Sequence, residues 1–357
     1  MILQSPYGLF FLSFLICLFS VPCIAIFSRH INLIAYPDSR RTHKGTVPLA
    51  GGSAILLSQI VLTMLGLSIP LWVFYSSIFL FIVGLCDDLF EFSAKTKFIF
   101  QSLACATLVI GGDVQVISLG TLENGVELKL GQYASIFTVF AILGMVNAIN
   151  MIDGIDGLAG GLSLIIFFHL ALAGYLIGRP IEKSDLDFMI GISGAVGAFL
   201  LFNLASNDKK VFLGDSGSTL LGLWISYFVI KTSQYQPMSS TLPTSLVCWI
   251  LAIPIFETVS LIIYRLSQGR SPFSPDRQHL HHLLARISGS TLFALNTILA
   301  AAIIVFWLGF AISAAGGLQS GIIFCFTLIK FHLVVRAKIG HCLRVRVKKF
   351  ILQLAGN

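Results

Sequence analysis

Hydropathy divides the chain into long apolar runs separated by short polar connections. Apolar segments of membrane-spanning length fall at 8–27, 47–67, 71–86, 98–116, 134–150, 158–178, 188–205, 216–232, 244–264, 292–312 and 317–335. A helix crosses the hydrocarbon layer with about 20 apolar residues. Backbone in lipid must satisfy its own hydrogen bonds, which leaves helices or a closed barrel. The alternation expected of barrel strands is missing. The pattern therefore predicts an all-α, polytopic integral membrane protein with 11 transmembrane helices. One transmembrane domain is expected over 1–335, followed by a basic tail over 336–357. Segment 117–132 stands apart and reads as a small hairpin turning at Asn124-Gly125.

Composition supports the membrane reading. Of 357 residues, 56% are apolar and 11% charged, against roughly 25% charged in soluble domains. That excludes a disordered or fibrous chain and leaves too little charge to cover a soluble globule. The first apolar run has no Lys or Arg before it, and Arg29 follows it. It is expected to stay as a span rather than be cleaved as a signal. The seven cysteines contain no Cys-x-x-Cys pair and lie mostly in apolar stretches, so they read as small packing residues.

The net charge of +7 matters through its distribution. The connections 28–46, 87–97, 151–157, 206–215 and 265–291 and the tail 336–357 hold 18 of the 23 Lys and Arg residues. The opposite side holds Lys129, Arg179, Lys183 and Lys231. By the positive-inside rule the first set faces the cytoplasm and the N-terminus lies outside. Cations gathered on one membrane face suit anionic headgroups, and no nucleic-acid partner is expected.

The same face collects the residues that carry chemistry. Asp87 and Asp88 end the third span in GLCDDLFEFSAKTK. Two adjacent carboxylates conflict unless hydrated or neutralised by a cation, and Mg2+ binds one or two carboxylates with water and phosphate oxygens. A solvated helix end with Glu91 pairing Lys95 is the alternative. In NAINMIDGIDGLAGG, Asn147, Asn150, Asp153 and Asp156 recur every three residues beside four glycines, which favours a ligand site over a plain turn. In FLGDSGSTLLG, Asp215 stands between glycines before an apolar run; Ser216 and Ser218 are candidate caps of a helix whose N–H groups favour phosphate. In SPFSPDRQHLHHLL, Ser274, Pro275 and Asp276 read as a helix start, and His279, His281 and His282 follow with Arg277. Zinc is a weak rival for these histidines, since no cysteine is near and His-Glu-x-x-His is absent. The loop YPDSRRTHKGTVPLAGG suits either a lipid headgroup or a phosphate substrate.

Taken in order, these strings resemble the polyprenyl-phosphate N-acetylhexosamine-1-phosphate transferases, most closely the bacterial undecaprenyl-phosphate N-acetylglucosamine-1-phosphate transferases. The resemblance runs from about residue 36 to 284; beyond 290 it rests on hydropathy. It implies a catalytic membrane domain that transfers N-acetylglucosamine-1-phosphate from UDP-N-acetylglucosamine to undecaprenyl phosphate, with UMP released. The product would begin a cell-envelope polysaccharide such as a lipopolysaccharide O-antigen, at the bacterial inner membrane with the site facing the cytoplasm. The cofactor implied is Mg2+, with Mn2+ as a substitute. The resemblance places Asp215 as a metal ligand, with Asp87 and Asp88 in the metal and lipid-phosphate site. By the same resemblance Asn150 would sit beside the diphosphate, while Asp153 and Asp156 would line the nucleotide-sugar site. Phe212 would stack on uracil, Asn203 and Lys44 would reach the nucleotide, and His279, His281, His282 and Arg277 would contact the sugar or diphosphate. The N-acetylhexosamine and a homodimer are left open. The rival function is a secondary transporter, which needs acids near the bilayer midplane; Glu257, one turn after Pro254, is the one candidate deep in a span.

Overall fold

Long apolar runs in lipid can pair their backbone only within themselves, and the chain folds accordingly into helices joined by short turns. The computed structural model describes residues 5–36, 45–121, 125–206, 209–235, 241–271 and 279–315, plus 321–324, 326, 327, 329, 330 and 333. The helices are α1 (Pro6–His30), α2 (Gly51–Met64), α3 (Leu71–Phe90), α4 (Ala94–Ala106), α5 (Ala134–Ile152), α6 (Leu158–Leu176), α7 (Lys183–Asn203), α8 (Gly214–Gln234), α9 (Thr244–Ile250), α10 (Ala252–Ser267), α11 (Leu280–Ser288) and α12 (Thr291–Ala315). Two short antiparallel ribbons complete the fold. Strands β1 (Ile34–Ala35) and β2 (Val47–Pro48) pair beside the first helix, and β3 (Ser118–Thr121) pairs with β4 (Glu127–Lys129). The second ribbon is the expected hairpin, and its predicted turn residue Asn124 lies outside the described residues.

Each of the first ten apolar segments carries a helix, and the described residues of 317–335 are helical. Six helices are long and apolar enough to cross a membrane, or seven if α9 and α10, bent by 77°, count as one span. The helices α2, α4 and α8 fall outside that group, α2 being only 14 residues long.

The departure of α8 has a clear cause. It is the central helix, with 17 of its 21 residues buried. It packs against α2, α3, α5 and α6, so it needs no continuous lipid-facing surface and tolerates Gly, Ser and Thr. Small residues let its backbone approach its neighbours. A Cβ at Gly52 or Gly84 would overlap the α8 backbone near Ser216 and Gly217, and one at Gly222 would meet Val146 of α5 at 2.6 Å. Trp224 Nε1 donates to Ser77 Oγ at 2.8 Å and locks α8 to α3. Elsewhere, Ser13 Oγ contacts Ser58 Oγ at 2.7 Å and donates to the Gly191 carbonyl at 2.6 Å, joining α1, α2 and α7.

Candidate active site

The site grows from the end of α3. The helix stops where Glu91 takes a left-handed conformation (φ 48°). Two residues later Ser93 caps α4, its Oγ accepting the Thr96 N–H at 3.2 Å. This reversal carries Lys97 back over the acid pair. Its Nζ bonds Asp87 Oδ2 and lies 2.8 Å from Asp215 Oδ2. In place of the alternative Glu91–Lys95 pairing, the structure shows a bridge from Lys97 to two acids.

Asp87 and Asp88 are adjacent in a helix, so their side chains diverge by about 100°. Asp87 Oδ1 accepts the Phe92 N–H at 2.8 Å. Asp88 points to the start of α8, where Oδ1 accepts the Asp215 N–H at 2.8 Å and Oδ2 the Ser216 N–H at 3.1 Å. The cap of α8 is therefore a carboxylate from another helix, not Ser216 or Ser218. Gly214 has φ +77°, and a Cβ there would stand 2.7 Å from Asp88 Oδ2, so glycine meets both the backbone and the space requirement.

Asn150, in the last turn of α5, donates Nδ2 to Asp215 Oδ1 at 3.0 Å and to Ser218 Oγ at 2.9 Å. Burial alone would raise the Asp215 carboxyl. The hydrogen bond shared with Asp87, the Lys97 ammonium and the Asn150 amide outweigh it and hold the group down at about 2. Burial likewise works against the Lys97 charge, but Asp215 and Asp87 more than offset it and raise its pKa. The four-residue series of acids and amides does not stay on one helix. Asn147 bonds Gln101 Oε1 at 3.1 Å, α5 ends at Ile152, and Asp153 is its C-cap.

A second group lies around the following turn. Asp156 pairs with Lys210 at 2.6 Å, and Lys210 Nζ sits 5.3 Å from the Phe212 ring centre. Asn203 is buried; its Oδ1 accepts the Gly157 N–H at 2.6 Å and its Nδ2 donates to the Val211 carbonyl at 3.0 Å. Both ends of the expected nucleotide contact thus tie two loops together. Phe212 is held through its backbone: its N–H donates to the Pro48 carbonyl at 2.9 Å and its carbonyl accepts the Gly51 N–H at 3.0 Å.

The histidines form the third group. Glu257, in the second turn of α10 just past the 77° break after α9, accepts the Leu280 N–H at 2.7 Å and faces His279 Nδ1 at 3.2 Å through the same Oε1. His279 is the N-cap of α11. His281 is 1% exposed, and its Nε2 has no hydrogen-bond partner among the described residues. That nitrogen rests on Gly154, where any Cβ would overlap it, so the histidine segment closes on the turn after α5. His282 packs against His281 with ring centres 4.3 Å apart. Burial, followed by the neighbouring His282, pushes the His281 imidazole down to about 3, against an upward pull from Glu257.

The structure thus joins Asp87, Asp88, Asn150 and Asp215 directly, links Asp156, Asn203 and Phe212 around one turn, and groups His279, His281 and His282. Lys44, Arg277 and the helix start expected at Ser274, Pro275 and Asp276 lie outside the described residues. Sequence reasoning missed Lys97 and Lys210. The signal present in FSAKTK was Ser93 as a candidate N-cap, which marks a new helix starting just after the acid pair.

Asp87 and Asp215 already share a cation in Lys97, with the Asn150 amide beside Asp215, and this pair of carboxylates fits a hard divalent ion. Asp88 fits less well, because both its oxygens serve backbone amides.

Residues 70–233 match the model of glycosyl transferase family 4. The chain is 32% identical over 355 residues to the undecaprenyl-phosphate alpha-N-acetylglucosaminyl 1-phosphate transferase of Salmonella typhi, covering 95% of this chain and 93% of that protein. The like-named proteins of Haemophilus influenzae and Yersinia pestis are 35% and 31% identical. The first alignment covers 72% of each chain, and the second 90% of this chain and 87% of its relative. On this similarity, and with a membrane helix bundle that gathers the acid, amide and histidine strings, the chain belongs to glycosyl transferase family 4, among the polyprenyl-phosphate sugar-1-phosphate transferases.

Proposed function

We propose that the protein transfers N-acetylglucosamine-1-phosphate from UDP-N-acetylglucosamine to undecaprenyl phosphate, yielding undecaprenyl-diphosphate-N-acetylglucosamine and UMP. The observation that carries this reading is the gathering of Asp87, Asn150 and Lys97, from α3, α5 and α4, around the Asp215 carboxylate of α8. Phosphoryl transfer asks mainly for positioning and charge stabilisation, and these groups supply both. Asp215 and Asp87 would hold Mg2+, or Mn2+ in its place; when bound, the ion neutralises charge developing on the diphosphate. Asp88 anchors the N-terminus of α8 and so sets the position of Asp215.

The remaining residues sort around that centre. Asn150 lies beside the diphosphate, Asp153 and Asp156 line the nucleotide-sugar site, and Phe212 offers a face to uracil. His279, His281 and His282 contact the sugar or diphosphate. A phosphomonoester loses its second proton near pH 6, so the attacking lipid phosphate needs little help from a base. The acids act through charge and ion placement. Eleven spans with the N-terminus outside, supported by the cation asymmetry, put this chemistry on the cytoplasmic face of a bacterial inner membrane. There it would start a cell-envelope polysaccharide such as a lipopolysaccharide O-antigen.

The test uses purified protein, undecaprenyl phosphate and radiolabelled UDP-N-acetylglucosamine or UDP-N-acetylgalactosamine, with Mg2+ or EDTA. Label entering lipid from the first donor with Mg2+ is the expected result. Preference for the second donor would change the sugar, and no lipid-linked label from either would overturn the enzyme reading.

A further inference from the structure

The pinning of the two acids around Lys97 is one-sided. Asp87 has Oδ1 held by the Phe92 N–H, and Asp215 has Oδ1 held by the Asn150 amide. Their Oδ2 atoms are left to converge, and both bond the Lys97 ammonium. Two carboxylates with fixed outer oxygens and convergent inner oxygens make a preorganised cation seat. A single positive charge on a flexible four-carbon stem fills it.

We infer that Lys97 is the resident counter-ion of this seat and gives way when a divalent cation binds. The inference rests on the reading of Asp87 and Asp215 as ion ligands. A divalent ion taking both Oδ2 atoms would stand against the ammonium, and like charges at such range repel strongly in a partly buried site. Asp87 and Asp215 are held by their outer oxygens, so the group able to move is the lysine. Its side chain is 32% exposed, which leaves it an open route out of the seat. Lys97 spares the two acids from facing each other without a cation. With the ion bound it is freed at the rim of the seat, placed to take an anionic phosphate oxygen. Divalent-ion binding and exposure of Lys97 are therefore one event.

The experiment uses the full chain in detergent, without substrate, and Mn2+ as the probe. Free Mn2+ is counted by electron paramagnetic resonance for wild type, Lys97→Met, Lys97→Arg and Asp215→Asn. Lys97→Met should bind Mn2+ roughly tenfold tighter, since no internal cation has to be displaced. Lys97→Arg, which keeps the charge, should not. Unfolding of Lys97→Met should be lowered in EDTA and raised again by Mn2+, by more than in wild type. In wild type, Mn2+ should speed acetylation of Lys97 by acetic anhydride, read by mass spectrometry; this arm stands even where Lys97→Met fails to fold. Equal or weaker binding by Lys97→Met, or acetylation unchanged by Mn2+ under saturating binding, overturns the inference. If Asp215→Asn binds Mn2+ as wild type does, the ion site itself has been misplaced.

Discussion

Asp88 and Asp215 sit on different helices, 127 positions apart in sequence, yet the carboxylate of one caps the helix that carries the other. Both Asp88 oxygens accept backbone N–H groups, those of Asp215 and Ser216. A caps-and-carries relation of this kind makes the location of Asp215 depend on Asp88. Asp88→Asn keeps one acceptor but turns an NH2 group toward a backbone N–H. It should destabilise the protein by about 1–2 kcal/mol, read by thermal unfolding, and depress activity through misplaced Asp215. Stability equal to wild type would show that the cap contributes nothing.

Gly154 tests the closure of the histidine segment on the turn after α5. Alanine there would overlap His281 Nε2. Overpacking of this kind costs about 1–3 kcal/mol, and the histidine segment has to shift to relieve it. Gly154→Ala should therefore lower stability and turnover together. Adding His281→Ala should recover part of the stability, because the clash partner is gone. A double-mutant cycle measures the coupling, and strict additivity would mean that the two residues do not meet.

Asn203 bridges the Gly157 N–H and the Val211 carbonyl while buried. Asn203→Ala strips a partner from two buried backbone groups, each worth about 1–3 kcal/mol when left unsatisfied. Loss of stability should exceed the change in KM for the nucleotide sugar. Asn203→Asp keeps the acceptor for Gly157 and should fall between wild type and Asn203→Ala. A large KM change at unaltered stability would mean that the side chain serves the substrate rather than the loops.

The helices were legible because apolar run length and backbone satisfaction are local properties of the chain. The hairpin at β3–β4 was legible for the same reason. The acid and amide strings were found because aspartate and asparagine beside glycine at a span end have few structural uses. What escaped was set by tertiary packing. Lys97 and Asp215 lie 118 positions apart and meet only because α4 folds back at Glu91 and Ser93. Glu257 read as an acid deep inside one span, although Pro254, which has no N–H to donate to the Ile250 carbonyl, marks the 77° break at Leu251. With the bend in place it reaches the start of α11 instead. The apolar run 216–232 marked α8 to within two residues at each end, but its place at the centre of the bundle is not a property of its own sequence.

His281 gives the pH dependence. Its imidazole is held down to about 3 in the fold, against roughly 6.5 in an unfolded chain. Between those values the unfolded state binds the extra proton and the folded state does not, so stability rises with pH across that window. The contribution is complete above about 6.5 and is lost as pH falls toward 3. His281→Gln removes the titrating group while keeping a polar side chain. The variant is expected to show a shallower fall in unfolding temperature between neutral and acid pH than wild type, even where its stability at neutral pH is lower. Glu257 and His279 remain in both proteins, so the difference between the two curves isolates His281. Parallel curves over the whole range would mean that His281 is not buried in its neutral form.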